Sequence, residues 1–184
     1  MAKSSQNGYP VIFSVSGTKN YKLPFKYNRF NERNVRLRGG NSDSAIVLAH
    51  FALKFFETIE KPSGTFDLWG WAVRDIRGDD DTSNHASATA IDVNATQHPI
   101  GVSGTFTPKQ RRKIRRALRN QYNGVIRWGG DYSGRKDEMH FEINASGRKV
   151  ARVANRLRKT PRGKRILRAN GLYPKRKRLA GFRK

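Results

Sequence analysis

The sequence predicts an α+β domain in which a small antiparallel sheet is flanked by helices. The chain has 184 residues, which is the length of one domain. Residues 41–60 and 107–122 carry apolar side chains at helical spacing, and short strand-like segments elsewhere return after tight turns. Because 36% of the residues are hydrophobic, the chain can form a core and is not a disordered basic protein.

Residues 1–40 mix Gly, Asn, Lys and isolated aromatic residues without a clear period. We therefore predict a loosely structured N-terminal segment with one short strand at Val11 to Val15. From Asn41 to Glu60, Ser42 or Ser44 can cap a helix, on which His50 is expected to be a surface or packing residue. The apolar positions of this helix recur on one face: Val47, Leu48, Phe51, Phe55 and Ile59.

The middle of the chain predicts two strands separated by a polar loop. Residues 66–73 (FDLWGWAV) are rich in aromatic side chains and follow the helix-breaking segment 61–64. The loop spans residues 77–83. Residues 90–94 (AIDVN) alternate, so that Asp92 faces away from Ile91 and Val93. One face of this strand can pack while the other carries chemistry.

A second helix and two more strands follow. Thr107 and Pro108 are a cap and a first-turn residue for a basic helix that runs to about Tyr122. Strands are predicted at residues 125–128 and 139–143, with a turn at 129–130 between them. The catalytic domain is thus expected to span residues 41–144.

The charge is strongly positive and unevenly placed. The chain has 38 Lys and Arg against 14 Asp and Glu, a net charge of +24, and residues 145–184 hold sixteen of the basic residues and no acid. This basic C-terminal extension is expected to contain one or two short amphipathic helices interrupted at Pro161. Such a segment attracts polyanions, including nucleic acid and anionic wall polymers.

The chain has no cysteine, so disulfides, thiolate metal sites and cysteine nucleophiles are excluded. No apolar run reaches the ~18 residues that a membrane helix needs. The first ten residues lack the apolar core of a secretory signal. We therefore expect synthesis in a cytoplasm.

Two of the four histidines have acidic residues near them in the sequence. His85 precedes Asp92 by seven positions, and His140 lies in the segment Asp137-Glu138-Met139-His140. Two imidazoles and one carboxylate can bind Zn²⁺ and leave a fourth position for water. The chemistry expected of such a centre is hydrolysis, with a nearby carboxylate as general base. The alternative is that these are ordinary polar residues near a sheet edge.

The ordered motifs resemble the zinc D-alanyl-D-alanine carboxypeptidase family, a VanY-like group that also contains L-alanyl-D-glutamate endopeptidases of phages. They are Ser-x-His-x6-Asp from Ser83, then Trp-Gly-Gly-Asp and Asp-x-x-His-Phe-Glu from Asp137, within a similarity over about residues 66–143. The resemblance implies the hedgehog-like fold of zinc D-Ala-D-Ala peptidases. It also implies that Zn²⁺ is bound by His85, Asp92 and His140.

By the same resemblance Asp137 is the general base, and Arg74 steadies the carbonyl oxygen of the scissile bond or a substrate carboxylate. Arg77 is the alternative arginine. Strand alternation instead places Glu138 on the face of His140, so Asp137 can serve only if the chain bends before the strand. The family usually has Gly where this chain has Ala88 or Thr89.

Three further residues are candidates for substrate contact. Trp128 and Tyr132 can line a substrate groove, although core packing explains Trp128 equally well. Ser83 is expected to bond within its loop or support substrate rather than act as a nucleophile. His98 precedes a proline and is expected to be a loop residue.

These observations favour a zinc peptidase that cuts the stem peptide of bacterial peptidoglycan, as a phage endolysin does. We expect it to build up in the host cytoplasm and to reach the wall once the membrane is permeabilised. A monomer without an obligate protein partner is expected, with the basic extension holding anionic wall polymers. The alternative is a nucleic-acid-binding protein that uses the helix at 108–119 and the C-terminal tail; any nucleic-acid binding by the peptidase is expected to be non-specific.

Overall fold

The computed structural model describes residues 3–25, 33–63, 67–73 and 82–173. Two antiparallel sheets and four helices form this part of the chain. The first sheet pairs β1 (Thr18–Leu23) with β2 (Arg33–Arg38). The second sheet has the order β3-β4-β6-β5, with the strands β3 (Leu68–Trp69), β4 (Ala90–Val93), β5 (Ile126–Trp128) and β6 (His140–Ile143). The helices are α1 (Asp43–Thr58), α2 (Pro108–Asn120), α3 (Gly147–Lys159) and α4 (Pro161–Ala169).

Helix α1 is the central element of the core. The Ser42 hydroxyl caps it by accepting a hydrogen bond from the backbone N–H of Ala45 at 3.4 Å. Its Phe51 and Phe55 side chains are fully buried and contact Phe141 of β6 at ring-centroid distances of 4.6 and 6.0 Å. The predicted helix at 41–60, with Ser42 as its cap, is confirmed.

Helix α2 lies at the surface. Thr107 and Gln110 form a reciprocal capping box, and Pro108 occupies the first turn, where its missing N–H costs nothing. Ile114, Ala117 and Leu118 are its buried residues, while most of its basic residues are exposed. This confirms the predicted basic helix. No helix in the described ranges is long and apolar enough to cross a membrane.

The described parts of residues 1–40 are not the loose segment that the sequence predicted. Residues 18–38 include the hairpin β1–β2, whose inward face is fully part of the core: Tyr21, Leu23, Val35 and Leu37. The predicted strand at Val11 to Val15 is absent from the described segment 3–25, where a short 3-10 turn spans Val15–Gly17 instead. The period-2 pattern was present in both strands, but Lys, Asn and Arg between the apolar positions concealed it.

The described part of the basic C-terminal segment, residues 145–173, is likewise not an extension outside the core. Both predicted helices and the break at Pro161 are confirmed, since α3 ends and α4 begins there. The inward faces of α3 and α4 belong to the same core as α1: Val150, Val153, Leu157, Ile166 and Leu167. Glu57 of α1 also pairs with Arg162 and Arg165 at 2.7 and 2.5 Å. The lysines and arginines of these helices therefore surround an apolar seam.

The predicted strand at 66–73 is paired with β4 only at Leu68 and Trp69. After Trp69 the chain turns to β2, where the backbone N–H of Trp71 donates to the carbonyl oxygen of Arg36 at 2.7 Å. A side chain at Gly70 would overlap that carbonyl and approach the Val35 side chain to 2.9 Å. Glycine at position 70 thus lets the hairpin and the second sheet meet.

His50 is a packing residue, one of the two possibilities that the sequence left. Its Nδ1 lies 2.8 Å from the Tyr122 hydroxyl, its Nε2 lies 3.3 Å from the Thr160 hydroxyl, and its side chain is fully buried. Burial, reinforced by the positive charges of Arg162 and Lys54, lowers the pKa of His50 to about 3. The imidazole is therefore neutral in the folded protein.

This burial predicts acid destabilisation. Below its ordinary pKa of 6.5 the unfolded chain takes up a proton on His50, whereas the folded chain does not until about pH 3. The contribution of His50 to the free energy of unfolding is therefore fully present above pH 6.5 and falls by about 1.4 kcal/mol for each pH unit below it. At pH 5 the loss amounts to about 2 kcal/mol. Urea unfolding of the wild type and of His50→Gln between pH 5 and 7 tests this. Equal pH slopes in the two proteins would contradict it.

Candidate metal centre

The pairing of β3, β4 and β6 places three side chains next to one another. Trp69 lies opposite Asp92, and Asp92 lies opposite His140. Residues opposite one another in antiparallel strands point to the same face. The other face carries Ile91 and Phe141, which are fully buried in the core. Asp92 and His140 therefore share the non-core face, as the alternation of residues 90–94 predicted for Asp92.

His85 completes a cluster with these two residues. Its Nε2 lies 3.2 Å from Asp92 Oδ1 and 3.2 Å from His140 Nδ1, and His140 Nδ1 lies 3.0 Å from Asp92 Oδ1. Ligand atoms ~2.0–2.1 Å from a tetrahedral zinc ion lie roughly 3.3 Å apart. The three side chains are buried. Two imidazole nitrogens and one carboxylate oxygen thus fit a metal ion in both donor type and spacing.

The second nitrogen of each imidazole has a hydrogen-bond partner that fixes the ring. His85 Nδ1 lies 2.5 Å from the carbonyl oxygen of Gly70, and His140 Nε2 lies 3.2 Å from Glu142 Oε2. Because these partners accept, the outer nitrogens donate, so the inner nitrogens are the ones that can offer lone pairs to a metal ion. This is the second layer of contacts by which metal-binding histidines are oriented.

Glu142 is the centre of that second layer. Its Oε2 accepts from the Asn84 amide at 2.5 Å, its Oε1 lies 3.7 Å from Arg127 Nη1, and it is hydrogen-bonded to the Tyr132 hydroxyl. Burial raises the pKa of Glu142, but its hydrogen bonds, above all with His140, outweigh burial and lower it. The carboxylate is thus ionised and holds the outer edge of His140.

The electrostatics of the cluster favour a cation among its donors. Burial raises the pKa of Asp92, but the two histidines outweigh it and lower that pKa below its ordinary range. Burial lowers the pKa of His140, but hydrogen bonds to Asp92 and Glu142 outweigh it and raise that pKa. A positive charge beside Asp92 is therefore stabilised, as a metal ion would be.

The N-terminal segment, which the sequence did not connect to the site, fastens the loop that carries His85. The backbone N–H of Asn7 donates to the Asn84 side chain at 2.9 Å, and the Asn7 amide donates to the Thr89 hydroxyl at 2.8 Å. The Ser5 hydroxyl donates to Ser87 at 2.7 Å. Asn7 therefore bonds to the same asparagine that holds Glu142. No pattern in residues 3–12 signals this role.

The loop also explains a departure from the resembled family. Ala88 has φ of 56°, in the left-handed region where glycine is favoured. The chain keeps this conformation with alanine at a cost of about 1–2 kcal/mol. Alanine at position 88 thus preserves the conformation that a glycine would adopt.

Asp137 lies at the bend that the sequence required. The backbone N–H of His140 donates to the carbonyl of Asp137 at 3.2 Å, so the chain turns over residues 138–139 before β6 begins. A side chain at Gly129 would overlap the carbonyl of Asp137 and approach its Cβ to 3.0 Å. Glycine in the Trp-Gly-Gly-Asp motif therefore allows Asp137 to pack closely against that turn.

Glu138, the rival candidate for the base, is engaged elsewhere. Its carboxylate accepts from the backbone N–H groups of Gly104, Thr105 and Phe106 at 2.8–3.2 Å. Burial raises the pKa of Glu138, but the hydrogen bond from the Thr105 hydroxyl, together with these backbone bonds, outweighs burial and lowers it. Strand alternation misplaced Glu138 because β6 starts only at His140. Its carboxylate anchors the segment before α2.

His98 is a buried connecting residue rather than a simple loop residue. Its Nδ1 lies 2.8 Å from the Thr105 hydroxyl, which also bonds to Glu138, and its Nε2 lies 2.8 Å from Glu60. Its ring stacks on Phe106 at a centroid distance of 3.7 Å. His98 thus links the end of α1 to the segment that holds Glu138. The sequence predicted only a loop residue because Pro99 follows His98, and proline is typical of turns.

The three residues predicted to contact substrate have different surroundings in the structure. Trp128 is 1% exposed and donates from Nε1 to the carbonyl of Glu138 at 2.7 Å, which favours core packing, the alternative that the sequence left open, over substrate contact. It is a core residue stacked on Phe141. Ser83 is buried and accepts from the backbone N–H of His85 at 3.2 Å, in agreement with a loop-bonding role. Tyr132 lies beside His140, with ring centroids 6.4 Å apart, and its substrate contact stays a prediction.

Sequence reasoning missed Trp69. This side chain is 47% exposed and lies on the face that carries Asp92. The sequence showed an aromatic strand but could not reveal its register against β4. Arg74 and Arg77, the two candidates for the oxyanion arginine, lie outside the described residues.

Comparison with known families agrees with the resemblance seen in the motifs. Residues 77–143 match the family model described as D-alanyl-D-alanine carboxypeptidase. Small antiparallel sheets and the four helices of the described residues are compatible with such a peptidase fold. No curated protein and no solved structure matches the chain. The matched segment contains all three members of the cluster, whereas Asn7 and Gly70 lie outside it.

Substitution of Gly70 by alanine should weaken metal binding. The added Cβ overlaps the Arg36 carbonyl, so the Gly70 carbonyl must shift away from His85 Nδ1. We expect ~10–100-fold lower affinity for Zn²⁺, the usual effect of losing such an orienting contact. Competition with a chromogenic chelator measures it. Gly134→Ala, where a Cβ meets nothing within 4 Å, is the matched control.

The melting temperature of the metal-free proteins separates a local effect from misfolding. If Gly70→Ala bound Zn²⁺ as tightly as Gly134→Ala, the carbonyl of Gly70 would have no part in orienting His85.

Proposed function

We propose that the protein is a zinc-dependent peptidoglycan peptidase that hydrolyses an amide bond in the stem peptide of the bacterial cell wall. The convergence of His85, Asp92 and His140 within 3.0–3.2 Å on one sheet face is the observation that carries this function. The match of residues 77–143 to a carboxypeptidase family supports the reaction class. The motif resemblance to phage enzymes supports an endolysin role.

In this function His85, Asp92 and His140 hold the metal, and the second-layer contacts from Gly70 and Glu142 keep both imidazoles oriented. When bound, Zn²⁺ supplies Lewis acidity to the scissile carbonyl and lowers the pKa of an attacking water. A three-residue ligand set leaves a coordination position for that water or the substrate. The protein's part is to fix these groups in place before substrate arrives.

Asp137 is proposed as the general base. It stands three residues before His140 on the turn into β6, and Glu138 next to it is committed to three backbone N–H groups. A carboxylate in this position accepts a proton from the attacking water and can return it to the leaving amine. Arg74 or Arg77 is proposed to stabilise the developing negative charge on the carbonyl oxygen.

The surface charge suits an anionic wall. The net charge is +24, and basic side chains of α2 and α3 are exposed on the described surface: Lys109, Arg112, Lys113, Arg116, Lys149, Arg152 and Arg156. Stem peptides carry free carboxylates, and many walls contain phosphate-rich polymers. We expect these helices and the basic C-terminal segment to concentrate the enzyme on its substrate through salt-sensitive attraction. Action at the wall would follow permeabilisation of the host membrane.

The same basic helices favour nucleic-acid binding as the second candidate. The charge on α2 supports such binding, but it gives no reason for the side chains of His85, Asp92 and His140 to converge. The two functions respond differently to a chelator. Binding to phosphate backbones falls with salt and is indifferent to zinc, whereas peptide hydrolysis requires the metal.

Digestion of purified peptidoglycan tests the function directly. The zinc-loaded protein should release fragments cut at one stem-peptide amide bond with the glycan strands intact, and mass spectrometry of the fragments identifies the bond. A chelator should abolish release and added Zn²⁺ should restore it. His140→Ala is the control, since it should retain no zinc and release nothing. Fragments cut only in the glycan, or release that is insensitive to the chelator, would refute the function.

The variants Asp137→Asn and Glu138→Gln should distinguish the general base from the carboxylate that stabilises the fold. Loss of the general base should lower kcat by about 10²–10⁴-fold while zinc content and melting temperature stay unchanged. Glu138→Gln weakens bonds to three backbone N–H groups, so it should lower stability by about 1–3 kcal/mol and keep most of the turnover of the folded fraction. Turnover rates, zinc content and thermal unfolding of both variants measure this. The reverse pattern of rates would make Glu138 the base.

A further inference from the structure

A groove of about 390 Å³ lies beside His85, between the N-terminal hairpin and the segment after β3. Its hairpin wall is polar and consists of Asn20, Asn34 and Arg36. Trp69 contributes to the opposite wall, and His85 also lines the groove. One member of the metal cluster, His85, therefore also lines a surface groove whose other walls come from residues outside the family-matched segment.

The hairpin presents two different faces because its residues alternate. Apolar side chains of β1 and β2 point into the core, while Asn20, Asn34 and Arg36 lie on the other face. Asn20 is directly opposite Arg36 in the β1–β2 register, and Asn34 lies two positions from Arg36 along β2. The three polar side chains thus form one contiguous patch.

These polar groups have few partners within the protein. Across residues 3–25, 33–63, 67–73 and 82–173, no side-chain hydrogen bond involves the Asn20 or Asn34 amide, and no carboxylate pairs with Arg36. Within the described residues, the one side-chain hydrogen bond of the Arg36 guanidinium runs from its Nη1 to the Thr18 hydroxyl at 3.0 Å. Most of its donors are therefore available to a ligand.

The chemistry of the patch specifies the ligand. A side-chain amide both donates and accepts, which matches the two polar groups of a peptide unit. A guanidinium matches a carboxylate, with which it forms two parallel hydrogen bonds. Trp69, 47% exposed, offers an apolar surface on the other side. A short peptide that carries a carboxylate fits all three features.

The groove is rigidly connected to the metal cluster. The backbone N–H of Trp71 donates to the carbonyl of Arg36 at 2.7 Å, and the carbonyl of Gly70 accepts from His85 Nδ1 at 2.5 Å. Two hydrogen bonds through adjacent residues thus hold β2 in position relative to His85. A carboxylate bound at Arg36 would consequently set which peptide bond reaches the metal.

We propose that this groove binds the part of the substrate peptide that bears a free carboxylate. Arg36 pairs with the carboxylate, and Asn20 and Asn34 bond to the peptide backbone. This role rests on the proposed peptidase function. Because Arg36 belongs to the N-terminal hairpin, the hairpin is then the element that selects anionic stem peptides.

Binding of matched peptides tests the assignment without turnover. In an Asp137→Asn background loaded with Zn²⁺, titration calorimetry compares a stem peptide with all carboxylates free against forms amidated at one carboxylate at a time. One amidated form should bind about tenfold more weakly than the acid. Adding Arg36→Gln should weaken binding of the acid about tenfold and leave that amidated form unchanged.

Two further variants keep the result specific. Lys22→Gln removes the same charge from the same hairpin face, but Lys22 does not line the groove, so binding of acid and of amide should each weaken less than threefold. Asn34→Ala should weaken acid and amide alike, because a backbone contact does not depend on the carboxylate. Zinc content and melting temperature of every variant should match the parent.

The outcomes separate the groove from the peptidase function. If Arg36→Gln weakens acid and amide equally, or no more than Lys22→Gln does, the groove assignment is wrong even where the wild type cleaves stem peptides. If the acid-over-amide preference depends on Arg36 but wild-type protein cuts no peptide bond, the groove stands and the peptidase function fails. Absence of peptide binding in the Asp137→Asn background overturns the groove.

Discussion

The structure of the site depends on one carboxylate held between two imidazoles. Asp92 on β4 faces His140 on β6 because the strands pair at that position, and the loop after residue 82 returns His85 to the same oxygen. Buried in this way, Asp92 can stay ionised only with a positive charge beside it. Ring orientation, second-layer bonds and the need for a cation follow from this constraint.

Segments outside the matched family region help to orient both histidines. Gly70 and the hairpin behind it fix His85, while Asn7 reaches His140 through Asn84 and Glu142. The catalytic motif is local in sequence, yet its geometry is supported by residues near the N-terminus. A minimal fragment over residues 77–143 would keep the three ligands and the bond from His140 to Glu142, but it would lack the Gly70 contact to His85 and the Asn7 contact to Asn84.

The sequence motifs predicted more about the site than about the fold. Helices α1 and α2 followed from period and capping, and the cluster followed from the spacing of His85, Asp92 and His140. The hairpin was missed because polar residues between its four core residues concealed the alternation in both strands. Glu138 was a rival to Asp137 only while the start of β6 was unknown.

What the sequence determined by itself was the set of chemical groups: no thiol, two histidines and an aspartate in order, and a large positive charge. These are properties of side chains and spacing, which do not require knowledge of the fold. Tertiary structure decided which groups meet, since strand register puts Trp69 beside Asp92 and packing buries Trp128. Register and packing depend on contacts between distant residues, and a local pattern does not encode them.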